Sequence, residues 1–154
     1  MTKAIKLSLV TSLFCISASC AKDDLGTITV SSATKSEQSI KDVTSNVEVI
    51  TSIELEEKNI KTVTEALNLV SGVSFTSNGG IGATTSLSLR GMNGDNILIL
   101  IDGIKFQDPS NRDGAHIAHL MVNNIEKIEI IKGAQSGIWG SNATAGVMKA
   151  IPLL

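Results

Sequence analysis

Ile97-Leu98-Ile99-Leu100-Ile101-Asp102-Gly103 is the stretch that decides the fold. Five aliphatic residues in a row mark a strand covered on both faces. Asp102-Gly103 is a tight hairpin signal, so residues 104–106 return as a second strand. On the N-terminal side, Leu87 and Leu89 alternate with Ser86 and Ser88. That alternation predicts a half-buried strand ending at Arg90-Gly91, with Met92 to Asp95 as a turn. Residues 77–85 read as a loop, because Gly79, Gly80 and Gly82 weaken any regular element there. Val73 to Thr76 reads as a short strand before that loop.

Further upstream the period changes. Val63, Ala66, Leu67 and Val70 fall at i, i+3, i+4 and i+7, the stripe of an amphipathic helix. Thr62 and Glu65 have the capping-box spacing at its start, and Gly72 stands where a C′ glycine belongs. Thr51 with Glu54 has the same spacing and opens an earlier helix that Asn59 can stop. Val47, Val49 and Ile50 before it read as a strand. Downstream, residues 107–115 read as a surface loop and His116 to Met121 as one helical turn. Ile125, Ile128 and Ile130, set among Glu126, Lys127 and Glu129, predict another strand that ends at Lys132-Gly133. Residues 134–146 are small and Gly-rich around Trp139. The order is β, α, α, then several short strands with little room for crossover helices. The predicted class is α+β, a small mixed β-sheet with short helices.

The 154 residues allow one ordinary domain. Hydrophobic content of 42% against 18% charged residues supports a globular core. Aromatics are only 3%, too few for the girdles of a membrane barrel. With a net charge of -2 and scattered Lys and Arg, the chain carries no basic footprint for nucleic acid.

Residues 1–21 read as a secretory signal peptide. Lys3 and Lys6 form the positive region, and Leu7 to Ala18 the apolar run, which is too short to span a bilayer. Cleavage after Ala21, with Ser19 two positions before it, fits the small-x-small rule. Both cysteines, Cys15 and Cys20, fall inside this segment, so no thiol chemistry is expected of the mature chain. Ser17-Ala18-Ser19-Cys20 is also a loose lipoprotein signal, without the usual Leu three residues before the Cys. Residues 22–46 are polar and read as a flexible arm, with Thr27-Ile28-Thr29-Val30 as its one alternating run.

No catalytic set emerges. His116 and His119 could share one face of a turn, but no third metal ligand stands at a telling distance. The glycines at 79, 80 and 82 lack the Gly-Lys-Ser/Thr ending of a phosphate loop. Ser141 in Gly140-Ser141-Asn142-Ala143 is not a nucleophile elbow. Glu56 and Glu57 read as a solvated helix face. No enzyme activity, metal or cofactor is implied.

Seven pieces in order carry a resemblance. They are Val47-Glu48-Val49-Ile50-Thr51, Thr64-Glu65-Ala66-Leu67 with Ser71-Gly72-Val73, and Leu87-Ser88-Leu89-Arg90-Gly91. Then come Ile97 to Gly103 with Asp108-Pro109, Ile125 to Gly133, Gln135-Ser136 with Trp139-Gly140-Ser141, and Ala145-Gly146-Val147. Together they resemble the plug domain of TonB-dependent outer-membrane receptors, with 47–148 as the plug.

The resemblance implies a stopper in a barrel of about 22 strands, serving uptake of a ferric siderophore, haem or cobalamin. It places the chain at the periplasmic side of the outer membrane, or in the periplasm after signal cleavage. It implies TonB as a partner, recruited by strand addition to a TonB box; Thr27, Ile28, Thr29, Val30 and Ser31 resemble that box. It also implies that Arg90 and Lys132 meet acidic residues of the barrel wall, against the plainer reading that each reaches water. Lys132 stands where Arg is usual, losing bidentate geometry. Asn78, Gly79, Gly80, Met92, Asn93 and Asp95 become candidates for loops facing a metal-chelate or corrinoid ligand, with 107–115 as a third. The family continues past Val147 as a strand and then a barrel. Here Lys149 departs from that pattern, so 149–154 reads as a truncated tail and the receptor's barrel is missing. A free-standing periplasmic ligand-binding module and a non-functional fragment of a truncated receptor gene remain as alternatives.

Overall fold

The computed structural model describes residues 28–80, 83–108 and 117–153. The signal segment 1–21, Thr27, Gly82, His116 and most of the 107–115 loop lie outside the described residues. In chain order the strands are β1 (Thr29–Val30), β2 (Gln38–Ser39), β3 (Asn46–Thr51), β4 (Val73–Ser77), β5 (Thr85–Leu89) and β6 (Met92–Asn93). They continue as β7 (Ile97–Ile101), β8 (Ile104–Lys105), β9 (Ile125–Lys132) and β10 (Gly146–Pro152). The helices are α1 (Ser52–Glu57), α2 (Val63–Leu67) and α3 (Ser136–Trp139).

The main sheet runs β3-β9-β10-β7-β8. β10 is parallel to β7 and every other pairing in it is antiparallel, so the sheet is mixed as expected. Strand alternation divides it into two faces. Ile50, Ile128, Ile130, Met148, Ile97 and Ile99 point to one side and pack on Leu55, on the α2 stripe and on Leu87 and Leu89 of the sheet β4-β5-β6. Val47, Ile131, Val147, Leu98 and Leu100 point to the other.

The starts of α1 and α2 are capped. The Thr51 hydroxyl accepts from the Glu54 N–H at 3.4 Å. At α2 the capping box closes in both directions: the Glu65 N–H donates to Thr62 Oγ1 at 3.2 Å, and the Thr62 N–H to Glu65 Oε2 at 3.3 Å. The helix itself is short and tightens after Leu67 into i→i+3 turns. Val70 is nonetheless buried with Val63, Ala66 and Leu67, and Gly72 takes φ +80°.

Three expectations are corrected. The turn expected at Met92 to Asp95 lies at Arg90-Gly91, where φ is +52° and +80° and Leu89 pairs Met92 across a two-residue hairpin. Arginine is a poor turn former, which hides this hairpin from a scan for Asn-Gly or Asp-Gly. Residues 149–152 of the expected tail belong to a strand. β10 continues through Lys149 to Pro152 at the centre of the main sheet, because Lys149 and Ile151 keep the alternation with Met148 and Ala150. Nor is 22–46 a loose arm from Ile28 onward. Ala33 and Val43, with Trp139 and Ala143, close the second face of the sheet, and Val30 and Ser32 are buried. The polar composition misleads because much of the docking is done by hydrogen bonds to the main chain.

Candidate functional site

The polar end of that second face is where the N-terminal strap is held. Lys127 and Glu129 project from β9, and Lys149 is the cross-strand neighbour of Glu129 on β10. Glu129 is fully buried. Its carboxylate accepts the N–H of Ser31 at 3.1 Å, the N–H of Ser32 at 3.0 Å and the Ser32 hydroxyl at 2.5 Å. Lys127 Nζ lies 3.4 Å from the same carboxylate and donates to the Thr29 carbonyl at 2.7 Å. Lys149 Nζ donates to the Ser31 hydroxyl at 2.6 Å. A buried carboxylate is tolerated only when its lone pairs and charge are met, and here strap and sheet meet them together. Trp139 Nε1 donates to the Ser32 carbonyl at 2.6 Å, and Lys35 Nζ sits 4.9 Å over the indole ring.

The strap's own strand is meagre by comparison. β1 pairs with β2 over two residues only, Thr29 with Ser39 and Val30 with Gln38. Beside it lies an open cleft of about 290 Å³, lined by Thr29, Ser31, Glu37, Asp102, Lys127 and Lys149 among others.

The two basic residues singled out from the sequence have different fates. Arg90 is exposed, holds a left-handed backbone and joins no ion pair among the described residues. Its N–H donates to the Gly72 carbonyl at 2.7 Å. Lys132 is instead turned inward, with a side chain only 4% exposed. Its ammonium pairs with the Glu48 carboxylate across the β3–β9 ladder and donates to Ser71 Oγ at 3.1 Å. Within the plug, Lys132 thus has an acidic partner from its own chain.

The candidate loops do not converge as one patch. Asn78, Gly79 and Gly80 sit at the start of β5, and Met92 and Asn93 return from its far end. Four residues of rise separate the ends, roughly 13 Å. All five are exposed, as is Asp95. Asp95 shares a small crevice with Gln107 and Asn142, so it belongs with the start of the 107–115 loop. Among the described residues no three of His, Cys, Asp and Glu gather as a metal site. No described helix is long and apolar enough to cross a membrane.

This mixed sheet, with two capped helices on one face and a strap on the other, has known counterparts. The family model for the TonB-dependent receptor plug domain matches residues 39–147. The chain belongs to that family. The plug is 34% identical over 122 residues to the vitamin B12 transporter BtuB of Vibrio cholerae serotype O1, covering 79% of this chain and 20% of that protein. The BtuB of Vibrio vulnificus matches over the same length at the same identity and coverage. The chain thus spans about a fifth of the length of these curated relatives. Among solved structures, the plug superposes on the alcaligin outer-membrane receptor FauA of Bordetella pertussis with a TM-score of 0.66 at 20% identity, covering 82% of this chain and 21% of that one. It superposes on the siderophore receptor PirA of Acinetobacter baumannii with a TM-score of 0.56 at 27% identity, over 71% and 18% of the two chains. These relatives are transport receptors rather than enzymes.

Sequence reasoning placed Thr27 to Ser31 as a separate element and missed what grips it. Of that run, Ile28 to Ser31 are described, and Glu129, Lys127, Lys149 and Trp139 surround them with Ser32. A signal was present. Lys127 and Glu129 on one face of a sheet's interior strand imply that whatever covers that face is itself polar.

Proposed function

We propose that this plug gates an outer-membrane barrel for the uptake of a scarce nutrient, a cobalamin or a ferric siderophore or haem, and is opened by TonB pulling on the strap through Thr27 to Ser31. The observation that carries this reading is the strap itself. A two-residue strand near the start of the described residues is pinned to the plug mainly through main-chain groups, which suits a segment that must exchange one set of strand partners for another. The interior supports obstruction. The crevice among Leu67, Leu87, Leu89, Ile130 and Met148 measures only about 10 Å³, so the core is filled and carries no buried ligand chamber there. Arg90 supports seating in a wall of protein: it is exposed, strained and outside any ion pair among the described residues, which suits an acidic partner on a barrel. The relatives named for vitamin B12 and for siderophores supply the nutrient classes, and their identity levels do not choose between them. The setting is the periplasmic side of the outer membrane.

The test is calorimetric titration of the chain with the purified periplasmic domain of TonB. Binding is expected for the native sequence and lost in Thr29→Pro, because proline removes an N–H that strand addition needs. Equal binding by both chains, or by neither, overturns the TonB reading. Cyanocobalamin and a ferric siderophore are titrated in parallel. Tight binding of either by the chain alone would favour a free-standing ligand-binding module over a stopper.

A further inference from the structure

We propose that Glu129 is a latch that competes directly with strand addition, occupying a main-chain donor, the Ser31 N–H, that a strand-adding partner would need. This deepens the reading of Thr27 to Ser31 as the TonB segment and rests on it for its consequence, though not for its geometry. A partner strand recognises an extended segment by pairing alternate N–H and C=O groups along its edge. One donor of the segment, the N–H of Ser31, is already given to a carboxylate that also holds the N–H of Ser32 just beyond it. The Thr29 carbonyl is given to Lys127. β1 is also paired with β2. The segment is therefore docked through the groups that association must expose, and the two states exclude one another.

The latch reads main chain and short hydroxyls, and no large side chain of the strap is inserted into the charged cluster. Its strength resides in Glu129, which is fully buried and charge-matched by Lys127 at 3.4 Å. Hydrogen bonds to an ionised group are about twice as strong as neutral ones, so three converging on one carboxylate dominate a two-residue ladder. Apparent affinity for a partner then scales with the fraction of chains whose strap is undocked. Glu129 is a positioning residue that sets this fraction, and the cleft beside Thr29 and Ser31 gives the released segment room to lift.

Two variants test this from opposite sides. Ser32→Ala removes the 2.5 Å hydroxyl bond from the strap and leaves the sheet untouched. Glu129→Gln removes the charge from the sheet. Hydrogen exchange of the full chain is followed at residues 29–33, with β9 and β10 as internal references. Both variants are expected to speed exchange of 29–33 by roughly tenfold, the effect of losing one charge-assisted bond, with β10 unchanged. If Glu129→Gln also loosens β9 and β10, Ser32→Ala alone decides. Unchanged protection of 29–33 in Ser32→Ala overturns the latch, whatever the partner does. Titration with the periplasmic domain of TonB follows. Tighter binding by Ser32→Ala than by the native chain supports the competition, and equal or weaker binding overturns it. Faster exchange with no TonB binding by any chain upholds the docking role of Glu129 while sinking the TonB reading and the competition with it.

Discussion

Gly146 lies so close to Ile131 that a Cβ built on the glycine would sit 2.2 Å from the Ile131 carbonyl oxygen, and 2.6 Å from a methyl of Leu89. The obstacle is main chain in the middle of a sheet, where β10 is hydrogen-bonded on both sides, so it cannot swing away. Gly146→Ala is expected to destabilise the plug by about 1–3 kcal/mol, the usual cost of overpacking. Urea unfolding should show a lower midpoint with an unchanged slope. A midpoint equal to that of the native chain would mean the two strands have slack that this geometry denies.

The Lys132–Glu48 pair makes an asymmetric prediction. The Lys132 side chain is 4% exposed and that of Glu48 34%. Glu48→Ala strands a buried ammonium with only Ser71 beside it and is expected to cost about 3 kcal/mol. Lys132→Met lets Glu48 turn to water while the methionine fills the same space, and should cost less than about 1 kcal/mol. Chemical denaturation of the two variants checks the order. The reverse ranking would place the desolvation penalty on the wrong partner.

The capping box at α2 gives a pH dependence with a definite sign. Main-chain N–H groups of Lys61 and Thr62 donate to Glu65 and hold its carboxyl below the ordinary value of 4.5. A lowered folded-state value means the contribution is fully present above 4.5 and is lost as the pH falls below that value through the folded one. Thr62→Ala should cost about 1 kcal/mol at neutral pH. Glu65→Ala should also destabilise at neutral pH, with a deficit that shrinks as the solution is acidified past 4.5. Urea midpoints measured at several pH values would expose a constant deficit, which the charged cap does not allow.

How much of this was legible depends on the distance over which each element is decided. The caps at Thr51 and Thr62, the Asp102-Gly103 hairpin and the buried run from Ile97 are fixed by neighbours within a few residues, and they stand where periodicity puts them. The strap could not be read that way. Ser31 is held by Glu129, 98 residues further along, and the apolar content of the segment gives no hint of a carboxylate waiting for its N–H groups. The last strand is hidden from a local reading for a related reason. Lys149 resembles an interruption in an apolar strand until the Ser31 hydroxyl is seen to accept a hydrogen bond from its ammonium. The two basic residues looked equivalent as strand terminators, and only the register that brings Glu48 toward Lys132 separates them.

That separation leaves Arg90 as the residue whose presence the isolated fold does not explain. It occupies the first position of a two-residue hairpin at φ +52°, where asparagine or glycine is comfortable and a long L side chain is strained. Its main-chain bond to Gly72 would survive most substitutions, since only the N–H is used. Arg90→Asn is therefore expected to raise the stability of the chain alone by about 0.5–1 kcal/mol, relieving part of the left-handed penalty. Arg90→Lys should leave it unchanged, because the strain stays. Thermal melts of the three chains decide the matter. A gain from asparagine means the guanidinium is kept for a partner outside this domain, as a barrel carboxylate would be. A loss of about 1 kcal/mol or more would show that Arg90 braces the β4–β5 sheet itself, and its assignment to the barrel contact would fall.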